Sequence, residues 1–389
     1  MDFYLSAAQE DLRQEIREFC QQFPAAYWRK KDAERAYPHE VVEALTEVGY
    51  LSILIPQSYG GMGLGLTESS IILEEINRSG GNSGAFHGQM YIMGALLRHG
   101  SEAQKAAWLP KIADGALRLQ AFSVTEPEAG SDTTRIRTFA RREGNDYVIN
   151  GHKNWTSRIE QSELMLLLAR TSPLEEVDSR TNGLSLFMVD LREVRKQDGA
   201  LRIKPVNTMM NYETYQVTYE EMIVPAENLI GEAGHGFRYI IDGWNAERIL
   251  LAAECIGDGY WFIDTASAYA AKREVFDIPI GKNQGVQFPL ARVYADLAAG
   301  DLIRYKAAWL FDCGESRGAE ANMVKLLASD VSWKAANICL DTHGGNGFVD
   351  EFDIERKFRE TRLYQIAPVN NNLILSYIAT HILGLPRSY

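Results

Sequence analysis

The sequence predicts a mainly α-helical protein with a β domain in its middle. Three observations predict it. Residues 1–120 place apolar side chains at helical spacing. The pattern turns to two-residue alternation near Ala121. Beyond "GEAGHGF" (231–237) helical spacing returns and lasts to the end of the chain. Helices, then strands, then helices is not the alternation of a doubly wound sheet. The expected division is an N-terminal helical domain at 1–120, a middle β domain at 121–232 and a C-terminal helical bundle at 233–389.

In the first block, segments near 7–22, 38–49, 66–79, 88–99 and 103–113 read as helices, broken by "PQSYGGMGLG" (56–65) and by a loop at 82–84. In the middle block, "DYVINGHKNW" (146–155) alternates around Asn150–Gly151, a hairpin-turn dipeptide. "ELMLLLAR" (163–170), "GLSLFMVDL" (183–191) and "TYQVTYEEMIV" (214–224) also read as strands. In the last block, four helices are expected near 236–271, 285–313, 318–345 and 367–383.

At 389 residues the chain can bury more than one sizeable core, and its 46% hydrophobic and 24% charged residues are an ordinary globular balance. A net charge of −12 argues against nucleic acid or an anionic membrane as partner. The four cysteines form no CxxC and read as reduced thiols. The N-terminus is an acidic amphipathic helix without a basic or apolar leader, and no apolar run reaches the roughly 18 residues of a membrane span. A cytoplasmic address is the expectation. The dispersed histidines predict no metal site. No GxGxxG follows a strand, and there is no Walker A or GxSxG, so a nucleotide cofactor would need another scaffold.

Four motifs carry chemistry. "AFSVTEPEAGSD" (121–132) offers hydroxyls, a proline kink and Gly130 for close backbone access to a flat polar heterocycle; a capped turn has the same ingredients. "KNWTS" (153–157) sets Trp155 beside two hydroxyl residues; a strand tryptophan is also a common core residue. "REVFDIPIGKNQGVQ" (273–287) puts an arginine in a loop, which suits a pyrophosphate or simply solvent. "DTHGGNGFVDEF" (341–352) is a glycine turn that admits a ligand or ends a helix.

In this order and spacing, the motifs TEPEAGSD (Thr125–Asp132), RxxF…Q…Q and GGNG resemble the acyl-CoA dehydrogenase family of flavoproteins over essentially the whole chain. The resemblance implies FAD held between a β-barrel domain and a C-terminal four-helix bundle. Phe122, Val124, Thr125, Gly130 and Ser131, with Trp155, Thr156 and Ser157, would contact the flavin, Ser131 also reaching the thioester end of the substrate. It further implies a homotetramer in which a neighbouring copy supplies Arg273, Phe276, Gln284, Asp341, Gly344 and Gly345. Asp341 and Asp277 stand where the family has Gln and Gly. Asn370 and Asn372 fall on flavin-contacting positions. An acyl-CoA substrate and electron-transferring flavoprotein as acceptor are implied with them.

The catalytic residue is a separate question. Most of the family carries its glutamate near the C-terminus in a pattern like YEGTSxIQ; aligned through "RLYQI" (362–366), Pro368 stands at that position here. A minority, including isovaleryl-CoA and long-chain acyl-CoA dehydrogenases, carries the base just before an arginine on another helix. "NAERILLAA" offers Glu247 and Arg248 there. Glu247 lies on the apolar stripe Ile240–Trp244–Leu251, so it is either half of a structural ion pair or a base whose pKa burial against Trp244 and Leu251 raises. The resemblance directs Arg248 to the CoA side, where Asn245 replaces a family aspartate.

The reading is α,β-dehydrogenation of an acyl-CoA thioester to the 2-enoyl-CoA. Three rivals keep the fold: a dehydrogenase of a carrier-protein-tethered acyl thioester, a flavin-dependent monooxygenase, which needs no α-proton base, and a binding protein with an inactive flavin site.

Overall fold

A computed structural model describes residues 4–211, 213–315 and 318–387. Six helices lead: α1 (Ala7–Cys20), α2 (Ala25–Glu34), α3 (His39–Glu47), α4 (Leu66–Arg78), α5 (His87–His99) and α6 (Glu102–Ala113). Ser6 with Gln9, and Ser101 with Gln104, form capping boxes that start α1 and α6. Helix α2 was not expected from the sequence. It has no side-chain N-cap, and only Trp28 of its residues is buried, so no apolar stripe announces it.

The middle holds β1 (Leu119–Ser123), β2 (Phe139–Glu143), β3 (Asp146–Ser157), β4 (Leu164–Arg170), β5 (Leu184–Asp190), the short helix α7 (Leu191–Val194), β6 (Leu201–Pro205), β7 (Thr214–Pro225) and β8 (Leu229–Ile230). The eight strands form one sheet, ordered β6-β7-β3-β2-β4-β5-β8, with β1 parallel to β4. Alternate residues of β4 pack on opposite faces: Leu164, Leu166 and Leu168 against α5 and α6, Met165, Leu167 and Ala169 into a core on the other side.

The Asn150–Gly151 expectation is corrected. The dipeptide is no hairpin turn but an irregularity inside β3, between the pairs Ile149↔Met222 and Gly151↔Tyr219. Asn150 there bridges to β7, accepting from Glu221 N at 2.8 Å and donating to Glu221 Oε1 at 2.6 Å. Gly151 is required by proximity, since a Cβ would sit 2.3 Å from Thr138 Oγ1.

The last third contains α8 (Gly236–Lys272), a ribbon of β9 (Glu274–Val275) and β10 (Ile278–Pro279), then α9 (Gln284–Asp312), α10 (Ala319–His343), α11 (Ile354–Arg362) and α12 (Asn371–Tyr377), which runs on as a π-turn to Ile382. The helix expected at 367–383 starts later because Asn370 caps it, accepting from Leu373 N at 3.0 Å. Helix α11 was not expected: "IERKFRETR" reads as a solvated stretch, yet Arg356, Lys357 and Glu360 are buried, paired with one another and with Asp353 and Asp258.

One core joins the first helices to the last: α1, α3 and α4 pack with α8, α9 and α10. Helix α4 comes so close to α8 that a Cβ at Gly257 would meet Glu74 O at 2.3 Å. This contact and the α5–α8 contact hold α8 on two sides. Among the described residues no helix is long and apolar enough to cross a membrane.

Candidate active site

Helix α8 carries Glu247 and Arg248 into the interior, both buried, at 5% and 6% exposure. They do not pair. The Arg248 guanidinium donates to Trp244 O (3.2 Å) and to Asn322 Oδ1 (3.3 Å) on α10. Glu247 forms no ion pair among the described residues, and its Oε2 has no hydrogen-bond partner. Burial pushes its carboxyl up to about 8, partly opposed by a hydrogen bond from Tyr91 and by the Arg248 charge. A buried carboxylate with one unmatched oxygen is a poor structural element and a serviceable proton acceptor near neutral pH.

Arg248 is itself pulled down to about 10 by burial. A Cβ at Gly318 would stand 3.4 Å from Asn245 Oδ1 and 3.5 Å from the Tyr377 hydroxyl, which places both near Asn322. Asn245, Arg248, Asn322 and Tyr377 thus make a polar group beside Glu247.

The β1 loop forms the second part. Asn154 N donates to Thr125 O at 2.8 Å, joining the loop to β3. Thr156 is buried and shares hydrogen bonds with Ser123 (2.9 Å), which also meets the Tyr219 hydroxyl (2.8 Å). Ser157 bonds Thr214 at 3.1 Å. Trp155 has φ 62°, an uncommon backbone for a bulky residue, and its ring is left 55% exposed. Phe122 and Thr125 are half-buried, Val124 is buried, and the Gly130 Cβ direction is open, with only Thr125 Cγ2 at 4.0 Å. The Thr125 hydroxyl bonds no other described residue. An exposed ring beside a free hydroxyl and an open glycine fits a flat polar heterocycle. Ser131 Oγ accepts from Asn370 Nδ2 at 2.8 Å, so the loop meets the C-terminal segment there. Asn372 is exposed; its neighbour Asn371 is the anchored one, accepting from Lys325 Nζ at 2.8 Å.

A third group stands apart. Arg273 ends α8, Gln284 opens α9, and Phe276, in the turn between them, has φ 53° and is 94% exposed. The side chains of Arg273, Gln284 and Asp341 hydrogen-bond no described residue. Gly344 and Gly345, after α10, have nothing within 4 Å of a Cβ position. The glycine turn shares this end of the bundle, because His343 stacks on Tyr269 at 4.0 Å and Asn346 donates to its hydroxyl at 3.0 Å. Within one chain no hydrogen bond among the described residues links this group to the β1 loop or to Glu247.

Sequence reasoning passed over several residues. Lys153, fully enclosed, donates to Val124 O (2.7 Å) and Glu126 Oε1 (3.0 Å) and so ties the β1 loop from below. On α5, Tyr91 and His87 face α8, where His87 Nδ1 meets Glu254 Oε1 at 2.6 Å. Glu254 had a readable signal: it lies seven residues from Glu247, on the same stripe.

Comparison with known proteins follows the same division of the chain. The N-terminal, middle and C-terminal domain models of acyl-CoA dehydrogenases match residues 6–116, 121–222 and 234–383. The acyl-CoA dehydrogenase FadE12 of Mycobacterium tuberculosis is 32% identical, over 100% of this chain and 99% of its own. A 3-(aryl)acrylate reductase of Clostridium sporogenes is 31% identical over 98% and 100%. Among solved structures, glutaryl-coenzyme A dehydrogenase in its glutaryl-CoA complex superposes with TM-score 0.92 at 28% identity, covering 100% of this chain and 98% of that one.

Proposed function

The chain belongs to the acyl-CoA dehydrogenase family of FAD-dependent oxidoreductases, and from that premise we propose that it converts an acyl-CoA thioester to the 2-enoyl-CoA with Glu247 as the base. The observation that carries this reading is the buried Glu247 carboxylate with its unmatched Oε2, at the alternative base position while Pro368 occupies the usual one.

Glu247 takes the α-proton on Oε2, the oxygen without a hydrogen-bond partner among the described residues. Tyr91 holds the carboxylate from the α5 side, and Arg248, drawn away to Asn322, leaves it free of an ion pair. Enclosure keeps water from the carboxylate and brings its pKa toward the working pH. FAD supplies the two-electron acceptor for the β-hydrogen. Phe122, Val124, Thr125, Gly130, Ser131, Trp155, Thr156 and Ser157 would hold its flavin end, with Asn370 steadying Ser131. Asn245 and Arg248 would meet the CoA end of the substrate.

Arg273, Phe276, Gln284 and the Asp341–Gly345 turn would serve the dinucleotide end in a neighbouring copy of a homotetramer. The exposure of Arg273, Phe276, Gln284 and Asp341, and the absence of side-chain hydrogen bonds from Arg273, Gln284 and Asp341 among the described residues, support this. Electron-transferring flavoprotein would reoxidise the enzyme. A base that a monooxygenase does not need speaks against that rival; a carrier-tethered thioester is separated by direct competition between CoA and carrier substrates.

The test is anaerobic bleaching of the flavin band by a panel of acyl-CoAs, for wild type and Glu247→Gln. The wild type bleaches; the variant keeps its FAD and bleaches slower by at least ~10²–10⁴. Equal bleaching by both removes Glu247 from the mechanism.

A further inference from the structure

A strand turns successive side chains to opposite faces, so residues three apart should not share one. In β3 both Lys153 and Thr156 are buried, at 1% and 0% exposure. The irregularity between the pairs Lys153↔Val217 and Thr156↔Tyr215 allows this, and Trp155, inside it, takes its φ of 62° and leaves its ring exposed. One bulge thus sets an exposed aromatic ring and an enclosed ammonium two residues apart.

The ammonium meets the backbone of the β1 loop. Lys153 Nζ donates to Val124 O at 2.7 Å and to Glu126 Oε1 at 3.0 Å. The Glu126 carboxylate also accepts from the Arg137 and Thr138 N–H groups, at 2.6 and 2.8 Å. The negative end of this buried pair is therefore matched by backbone donors, and its positive end lies against the carbonyl of the Val124–Thr125 peptide. The N–H of that peptide is uncommitted: neither the Thr125 N–H nor the Thr125 hydroxyl hydrogen-bonds a described residue. A methionine could fill the space under the loop without the cost of burying a charge. What it could not do is polarise the peptide. A carbonyl that accepts from an ammonium makes the N–H of the same peptide a stronger donor, and a low local dielectric enlarges the effect.

We propose that Lys153 is a positioning residue that acts on the flavin through the Val124–Thr125 peptide: it strengthens the Thr125 N–H as a donor to the flavin and so raises the reduction potential of the bound cofactor. The two electrons that arrive with the substrate's β-hydrogen leave negative charge on the flavin ring system, and a strengthened donor facing that ring favours the reduced form. This rests on the reading of the β1 loop as the flavin site.

The experiment is reductive titration of the FAD-loaded enzyme beside a reference dye, which needs no acyl-CoA. Wild type should hold its FAD at a midpoint above that of free FAD in the same buffer. Lys153→Met combined with Glu126→Gln removes both charges and keeps a carbonyl for the Arg137 and Thr138 N–H groups. It should shift the oxidised-to-reduced equilibrium about tenfold, lowering the midpoint by about 30 mV for a two-electron couple. An unchanged or raised midpoint in that double variant overturns the proposal. A wild-type midpoint at or below that of free FAD overturns it even if no variant folds. Thr125→Val, which removes the hydroxyl and keeps the N–H, tests the premise. Unaltered FAD affinity and spectrum in that variant would mean the loop is not the flavin site, and the proposal falls with it. If they change while the double variant keeps the wild-type midpoint, the site stands and the proposal alone falls. Failure of every acyl-CoA to bleach the flavin strikes the dehydrogenase reading alone, because the titration needs no substrate.

Discussion

Glu126 and Glu247 are buried to nearly the same degree, at 7% and 5% exposure, and are pushed in opposite directions. At Glu126 burial works against the charge. The Lys153 ammonium at 3.0 Å and the backbone N–H groups of Arg137 (2.6 Å) and Thr138 (2.8 Å) outweigh it and hold the carboxyl below the usual range. At Glu247 burial wins, and the carboxyl rises to about 8. Burial alone therefore says little about a glutamate's role. What separates the anchor in the β1 loop from the proposed base on α8 is the number of donors around each oxygen.

The sharpest way to break this contrast is to neutralise each in turn. Glu247→Gln should lower the rate of flavin reduction by ~10²–10⁴ or more while leaving FAD content intact; a fall of less than tenfold in stopped-flow bleaching would return Glu247 to the structural class. Glu126→Gln should do the reverse. It leaves Lys153 enclosed and unpaired, so denaturant unfolding should show a loss of about 3–5 kcal/mol. An unchanged midpoint there would mean Lys153 sheds its proton instead, which its own depression to about 8 makes measurable.

The pH dependence should carry both signs. Glu247, raised in the folded state, contributes stability that is complete below the ordinary carboxylate range and is lost as pH climbs through about 8; kcat/KM should rise over the same span as the base ionises. Glu126, depressed in the folded state, contributes stability present above that range and lost on acidification. Denaturation midpoints across pH should therefore lose their alkaline slope in Glu247→Gln and part of their acid slope in Glu126→Gln; retention of both slopes refutes the assignment. The smallest effect is at Asn370, which caps α12 and holds Ser131. Asn370→Ala should cost about 1 kcal/mol and raise the Kd for FAD modestly; tighter FAD would show that the Ser131 contact competes with the cofactor.

Much of this was legible in sequence where a side chain announces itself by period. The stripe through Ile240, Trp244 and Leu251 put Glu247 inside, and the short apolar run of 163–170 gave β4, whose two faces lie in different cores. Less legible were features decided by tertiary partners. Helix α11 hides behind charges that pair only after folding. Asn150–Gly151 has turn chemistry, but Glu221 across the sheet uses the asparagine instead. Whether Glu247 would pair with Arg248 could not be read from adjacency, because the arginine's direction depends on Asn322, seventy-four residues away. His87 gave no signal at all, since nothing local ties α5 to Glu254.

Helix α8 spans 37 residues, Gly236 to Lys272, with Arg273 as its C-cap. Glu247 and Arg273 are thus 26 positions apart on what is effectively a rigid ruler, about 39 Å by helical rise. That is farther than one dinucleotide cofactor stretches, so a single chain cannot put both residues on the same molecule of FAD. Each chain would then keep the chemistry at one end of the ruler and lend a grip at the other. Catalytic competence would then be a property of protein concentration: dilution that separates the copies should release cofactor before it unfolds anything.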